Sequence, residues 1–142
     1  MRILSEGCIY VYSARGPMKI EHVAIWVKDI DKVCEFYQKY FGGVVHPLYH
    51  NPAKQFTSRF VTFDEGARLE IMHRPDIGHE ASQHLGFSHL SFSVGSKEEV
   101  DRLTQQMSAD GISIVGQPRT TGDGYYESVV LDPEGNRIEI II

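Results

Sequence analysis

The C-terminal segment 136–142 alternates its side chains between two faces, as a β-strand does. One face carries Ile138, Ile140 and Ile142, and it is predicted to lie in the core. The other face carries Glu139 in the middle of a β-branched run. A charge in such a place is costly unless a partner compensates it.

The chain contains an internal repeat. Residues 64–71 (DEGARLEI) resemble residues 132–140 (DPEGNRIEI) with one residue fewer in the turn, and residues 20–27 (IEHVAIWV) resemble residues 87–94 (FSHLSFSV). Each copy therefore begins with a histidine strand and ends with a glutamate strand. The spacing from histidine to glutamate is 48 residues in the first copy and 50 in the second.

The hydrophobic pattern predicts the same order of elements in both copies: strand, helix, strand, strand, strand. The first copy is expected to have strands at about 19–27, 44–50, 55–63 and 67–73, with a helix at 30–41. The second is expected to have strands at about 87–94, 112–116, 125–131 and 136–142, with a helix at 97–109. Asp29 and Ser96 are placed to cap the two helices.

Length and composition favour one domain, because 142 residues with 42% hydrophobic content suffice for one ordinary core. Residues 1–17 are expected to be an N-terminal extension whose apolar run at 8–12 has strand propensity. Residues 18–142 are expected to be a single domain. Its two modules are predicted at about 18–74 and 87–142, with a linker at 75–86.

The net charge of −5 argues against a nucleic-acid surface or an anionic membrane as partner, since either requires a basic patch. The two cysteines, Cys8 and Cys34, do not form a disulfide scaffold or a zinc motif. No apolar run is long enough for a membrane helix, and residues 1–17 lack the apolar core of a signal peptide. We therefore expect a soluble protein of the reducing cytoplasm.

The parity of the strands makes a specific prediction about His22, Glu70, His89 and Glu139. Each lies on the face opposite the apolar residues of its own strand, so all four avoid the side that packs on the helices. Two imidazoles and two carboxylates form a nitrogen and oxygen site for one divalent metal ion. Four protein ligands leave two positions open on a six-coordinate ion, which suits Ni²⁺, Co²⁺, Mn²⁺ or Fe²⁺, and Zn²⁺ only if its coordination expands.

A single strand histidine or glutamate is usually a solvated surface residue, so the matched positions in both copies are what favour a metal site. The other histidines lack this symmetry and are expected at the surface: His46, His50, His73, His79 and His84. Four further residues of the third strands are candidates to line the same concave surface: Arg59, Tyr125, Tyr126 and Glu127.

These features resemble the vicinal oxygen chelate superfamily, which includes glyoxalase I, bleomycin-resistance proteins and ring-cleaving dioxygenases. The resemblance rests on the paired histidine and glutamate strands, on residues 36–43 (FYQKYFGG) and on residues 132–139 (DPEGNRIE). It implies an α+β fold in which two βαβββ modules form one curved mixed sheet cupped around one metal, often within a homodimer.

The resemblance also implies a ligand set and a chemistry. Glyoxalase I uses histidine, glutamate, histidine and glutamate in this chain order, which here fall on His22, Glu70, His89 and Glu139. A small substrate would chelate the metal through adjacent oxygens. Glu70 or Glu139 would then act as the base that removes a carbon-bound proton, while the cation stabilises the developing negative charge.

Several alternatives remain open at the level of sequence. The chain could be a metal-free protein that sequesters a planar ligand, or a dioxygenase with Fe²⁺ on His22, His89 and Glu139, although Glu70 would fill a position that such an enzyme needs. An epimerase is a close relative of the lyase. Candidate partners for the carboxylates of glutathione are Lys54, Arg59, Arg68 and Arg137. The metal site could be built within one chain or across a dimer.

Overall fold

A computed structural model describes residues 2–3, 9–10, 19–78 and 85–142 of the chain. Arg2–Ile3 (β1) and Ile9–Tyr10 (β2) pair as a short antiparallel ladder. The first module contains β3 (His22–Trp26), α1 (Ile30–Phe41), β4 (Val44–Val45), β5 (Tyr49–Asn51), β6 (Phe56–Thr62) and β7 (Arg68–His73). The second contains β8 (His89–Ser93), α2 (Lys97–Ala109), β9 (Ile114–Thr120), β10 (Tyr126–Leu131) and β11 (Arg137–Ile141).

The two modules have matching topology. In the first, the strand order is β3-β7-β6-β4, with β5 also paired to β6, and in the second it is β8-β11-β10-β9. In each module the histidine strand runs parallel to the glutamate strand and forms one edge of the sheet. The turns before the two glutamate strands also match, since Gly66 and Gly135 both have φ of +85°, a conformation that favours glycine.

Each helix packs on one face of its own sheet and is capped as the sequence predicts. The Asp29 carboxylate accepts a hydrogen bond from the amide of Lys32, and the Ser96 hydroxyl accepts one from the amide of Glu99. The apolar residues between helix and sheet in both modules, among them Val33, are buried and belong to one hydrophobic cluster. Burial of this apolar surface is the main source of stability.

A buried polar contact joins the modules. The hydroxyl of Tyr37 on α1 donates a hydrogen bond of 2.8 Å to the carboxylate of Asp132, which also accepts from the amides of Glu134 and Asn136. Tyr37 is fully buried and Asp132 is nearly so. Burial, reinforced by the neighbouring Asp132 carboxylate, raises the pKa of Tyr37 well above its usual value. The module junction is therefore polar at its centre and fully hydrogen-bonded.

Apolar and backbone contacts surround this hydrogen bond. The rings of Phe41 on α1 and Phe92 on β8 stack with centroids 4.1 Å apart. The amide of Lys28 donates to the carboxylate of Glu134 at 2.6 Å. One side of the first module's helix is thus held against the second module.

The α+β fold of two βαβββ modules is confirmed, with one difference in detail. The strands of the two modules hydrogen-bond in two separate sheets, one for each module, rather than in one continuous curved sheet. The reason is that the histidine strands β3 and β8 each remain at the edge of their own sheet. They are not paired with each other within the chain.

Three local predictions need correction. The strand expected at 44–50 is split into β4 and β5, because Pro47 interrupts the ladder. The strand expected at 112–116 begins at Ile114 and runs to Thr120, and Pro118 is accommodated because β9 is an edge strand. Ile142 lies beyond the end of β11 and is 41% exposed, whereas Ile138 and Ile140 are fully buried.

A cleft of about 800 Å³ lies between the modules, and the stacked rings of Phe41 and Phe92 form part of its lining. The turn at 64–67 and Val23 lie on one side, and residues 90–93 of β8 lie on the other. None of the helices in the described parts of the chain is long and apolar enough to cross a membrane.

The Tyr37→Phe substitution tests the buried hydrogen bond. It should lower the free energy of unfolding by about 1.5–3 kcal/mol, because it removes a donor to a buried carboxylate without leaving a large cavity. Urea unfolding measures the change. Tyr40→Phe is the matched control, since the Tyr40 hydroxyl also donates from α1 to an aspartate of the second module, Asp110, at an exposed position. Equal losses in both variants would contradict the special role of the Tyr37 contact.

Candidate metal centre

The first module displays His22 and Glu70 on the sheet face opposite α1. The register pairs His22 with Arg68, and it pairs Glu70 with Ala24 on one side and Phe60 on the other. The imidazole Nε2 of His22 lies 4.0 Å from the Glu70 carboxylate. Strand parity therefore places one nitrogen donor and one oxygen donor side by side, as the sequence predicts.

The carboxylate of Glu21 holds the other nitrogen of His22. Glu21 contacts the imidazole Nδ1 and also forms an ion pair of 2.6 Å with Arg68. The hydrogen bond from Arg68, followed by that from His22, lowers the pKa of Glu21 to about 2. An ionised carboxylate only accepts hydrogen bonds, so Nδ1 is the donor in this contact, and the tautomer that it favours has its lone pair on Nε2, the atom that faces Glu70.

The second module repeats the arrangement with different supporting groups. The imidazole Nε2 of His89 lies 3.2 Å from the carboxylate of Glu139, which accepts a hydrogen bond of 2.8 Å from the hydroxyl of Ser91. The Nδ1 atom of His89 lies 3.1 Å from the hydroxyl of Ser88. A hydroxyl can donate or accept, so it orients this imidazole without fixing the position of its proton.

Glu127 lies beside Glu139 on the same face. Burial raises the pKa of Glu127, and the nearby charge of Glu139 raises it further. Glu127 is paired with Arg119 of β9, and the positive charge of Arg119 lowers the pKa of Glu127 in part. The second module thus places two carboxyl groups, Glu127 and Glu139, side by side on its site face.

The two His–Glu pairs are not brought together. Within residues 19–78 and 85–142, no three histidine, cysteine, aspartate or glutamate side chains are close enough to hold a metal ion jointly. The intermodule cleft reaches Arg68 and Ser91, which neighbour the two pairs, but its walls are mainly apolar. Each module therefore provides half of the predicted ligand set.

The side chains that are present suit a divalent ion in their chemistry. Each pair offers one imidazole nitrogen and one carboxylate, and each imidazole has its second nitrogen held by a neighbouring side chain. Such support orients metal-binding histidines in proteins. The donor types thus fit the predicted metal, and each module presents one imidazole and one carboxylate.

Two of the residues expected to line the concave surface lie elsewhere. Arg59 is on the helix side, where its Nε lies 3.5 Å from Asp31 of α1, because its neighbour Phe60 occupies the site face. Tyr126 also faces its helix and donates to Asp101 of α2. Tyr125 precedes β10 and is half exposed. Glu127 lies on the same sheet face as Glu139.

The remaining histidines make ordinary polar contacts. His46 and His50 contact Thr62 and Thr57, and His73 contacts the carbonyl of Val27. His79, His84 and Cys8 lie outside the described residues. Cys34 is buried, as its helical spacing predicts, and burial raises its pKa to about 11.

Sequence reasoning missed the supporting residues Glu21 and Ser88. Both immediately precede the paired histidines at equivalent positions of the repeat, so the alignment of the two copies contained the signal. It also missed Phe60, whose ring meets the His22 imidazole edge to face at 5.6 Å and lies 4.0 Å below the guanidinium of Arg68. The alternation of side chains along β6 would have predicted that Phe60 lies on the same sheet face as Glu70.

Comparison with known proteins agrees with this fold. The chain is 28% identical over 133 residues to a protein of Synechocystis named "Probable lactoylglutathione lyase", covering 87% of this chain and 95% of that protein. It is similar to the structure of a glyoxalase family protein from Enterococcus faecalis, with a TM-score of 0.73 and 26% identity, covering 87% of this chain and 97% of that one.

Glyoxalase I from Zea mays has the same fold with a TM-score of 0.73 at 20% identity. That match covers 87% of this chain but only 44% of the maize chain, so this chain spans less than half the length of the maize protein. Residues 19–140 match the model of the Glyoxalase/Bleomycin resistance protein/Dioxygenase superfamily. Because this match spans most of the chain, the protein belongs to that superfamily.

Proposed function

We propose that this protein is a divalent-metal-dependent lyase or isomerase that removes a carbon-bound proton from a small substrate with two adjacent oxygens. The observation that carries the proposal is the pair of His–Glu sets, His22 with Glu70 and His89 with Glu139, at equivalent positions of the two modules. The similarity to a protein named as a lactoylglutathione lyase supports the same class of reaction.

In this proposal the chain's own residues bind the metal and move the proton. His22 and His89 provide nitrogen ligands, and Glu70 or Glu139 takes the proton as general base. When bound, the cation supplies stabilisation of the negative charge that develops on the substrate oxygens. Ser91 and Arg68 keep their neighbouring groups oriented, which limits the reorganisation needed during the reaction.

We further propose that a second copy of the chain completes the site. The contacts of Tyr37 with Asp132 and of Phe41 with Phe92 hold the two modules of one chain together through their helix sides. The His–Glu pairs lie on the opposite faces of the sheets. A symmetric dimer can place the first module of one chain opposite the second module of its partner, which gives two complete sites per dimer.

Metal content tests the central proposal. Protein purified without chelator should contain about one equivalent of divalent metal per chain, and Glu70→Ala and Glu139→Ala should each lose most of it. Elemental analysis measures the content after dialysis. Glu35→Ala is the control, because Glu35 is an exposed glutamate of α1 away from the site. If the wild-type protein takes up no Ni²⁺, Co²⁺, Mn²⁺, Fe²⁺ or Zn²⁺, the proposal is wrong. A metal-free protein that sequesters a ligand would then explain the fold better.

Mixing two metal-free variants tests whether the site is shared. One variant carries His22→Ala with Glu70→Ala, and the other carries His89→Ala with Glu139→Ala. When the two variants are refolded together at equal concentrations, they should bind about a quarter of an equivalent of divalent metal per chain. The reason is that half of the randomly formed dimers contain one intact site.

Each double variant refolded alone is the control and should stay metal-free. A mixture that also remains metal-free, although size-exclusion chromatography shows dimers, would instead assign the site to a single chain.

Glu21→Gln tests the support of His22. It should weaken metal binding by about tenfold or more, because the amide no longer fixes the proton on Nδ1 as a carboxylate does. Ser88→Ala should have a smaller effect, since the hydroxyl that it removes is uncharged. Competition with a chromophoric chelator gives both affinities. An unchanged affinity in Glu21→Gln would show that Glu21 serves only its ion pair with Arg68.

A further inference from the structure

The first module carries an aromatic patch, defined here as Trp26, Tyr49 and Phe56. Trp26 and Tyr49 are 40% and 55% exposed, which is high for large apolar side chains. The ring of Phe56 lies between the other two, with centroids 6.1 Å from each. The interplanar angle between Trp26 and Phe56 is 90°, the edge-to-face geometry that aromatic rings prefer.

The patch is on the same face as His22 and Glu70. Trp26 follows His22 by four residues along β3, so both side chains point to the side opposite α1. The register joins Trp26 to Met72 on β7 and Tyr49 to Ser58 on β6, and Ser58 is itself opposite Met72. These residues form one row across the sheet.

The distance between this row and the His–Glu pair follows from strand geometry. Met72 is two residues beyond Glu70 on β7, a separation of about 7 Å along a strand. Phe56 extends the patch by two further residues along β6. Trp26 is four residues beyond His22 on β3, about 13 Å along that strand. A substrate that places its oxygens near Glu70 can therefore reach the nearest row of the patch, which holds Trp26 and Tyr49, through a short linker.

The charges around the patch favour an uncharged ring. The guanidinium of Arg74 lies 5.2 Å from the centre of the Trp26 ring, but it is paired with Asp76 at 2.5 Å. Arg68, at the other end of the same face, is paired with Glu21. Both arginines are thus already neutralised, which does not suit a substrate tail bearing several carboxylates.

We propose that the aromatic patch binds an uncharged aromatic substituent of the substrate, with its nearest row about 7 Å from Glu70 along the strand. This inference rests on the proposed function, since the metal positions the other end of the molecule. It narrows the substrate class to aryl-substituted compounds with two adjacent oxygens. It also gives Trp26, Tyr49 and Phe56 a role in specificity rather than in the proton transfer.

The chain offers a direct optical test, because Trp26 is its only tryptophan. Hydroxamates chelate metals through two adjacent oxygens, so they serve as probes of Ni²⁺-loaded wild-type protein. We expect 3-phenylpropionohydroxamate to bind at least about tenfold more tightly than acetohydroxamate, through burial of its ring. It should also change the emission of Trp26. 3-Cyclohexylpropionohydroxamate, of similar size, should bind more weakly than the phenyl compound.

A pair of variants at Tyr49 locates the effect. Tyr49→Ala should lose a large part of the preference for the phenyl probe, while its affinity for acetohydroxamate and for Ni²⁺ stays unchanged. Tyr49→Phe keeps the ring and should keep the preference. Because Tyr49 is more than half exposed, its truncation is not expected to unfold the protein.

The outcomes separate this inference from the proposed function. If Ni²⁺ and acetohydroxamate bind but the phenyl probe gains nothing, the aromatic site is wrong and the metal site stands. Equal binding of the phenyl and cyclohexyl probes would show a general apolar surface and would likewise overturn an aromatic one. If wild-type protein takes up no metal, the proposed function fails, and this inference fails with it.

Discussion

The hydrogen bond between Tyr37 and Asp132 is the constraint on which the arrangement of the two modules depends. It places a helix residue of the first module in the turn that precedes the glutamate strand of the second. A buried carboxylate must keep its donors, so the two modules cannot slide along each other without a large energetic cost. The stacking of Phe41 on Phe92 adds apolar contact at the same junction. The contact therefore fixes which faces of the two sheets stay outside.

Those outer faces are where the chemistry is displayed. Each sheet has one side covered by its helix, so a strand with period-two alternation can present polar ligands only on the other side. The repeat applies this rule twice, and it leaves a His–Glu pair on each module. The supporting groups differ, a carboxylate for His22 and a hydroxyl for His89, so the two copies share the candidate ligand types but not their electrostatic surroundings.

Much of this architecture could be predicted from the sequence. The helix bounds and the outward placement of His22, Glu70, His89 and Glu139 followed from capping residues and alternation, and the structure agrees. The placement of one module against the other could not be predicted, because periodicity describes a strand relative to its own sheet only. Arg59 was expected on the site face, but the alternation along β6 places it on the helix side. Ile142 was expected in the core, but the strand ends before it.

The two copies of the repeated turn, at 64–67 and at 132–136, have different surroundings. Asp132 is buried and hydrogen-bonded to Tyr37, but its equivalent Asp64 is exposed at the intermodule cleft. The position of α2 that corresponds to Tyr37 is Thr104, whose hydroxyl is hydrogen-bonded to that of Ser128 instead. The turn at Asp132 is therefore held by a buried contact with the other module, whereas the turn at Asp64 borders an open cleft. The free energy of local opening is lowest where few buried contacts hold the backbone. Amide hydrogens of the turn at 64–67 should thus exchange through small local fluctuations, while those around Asp132 wait for much larger ones.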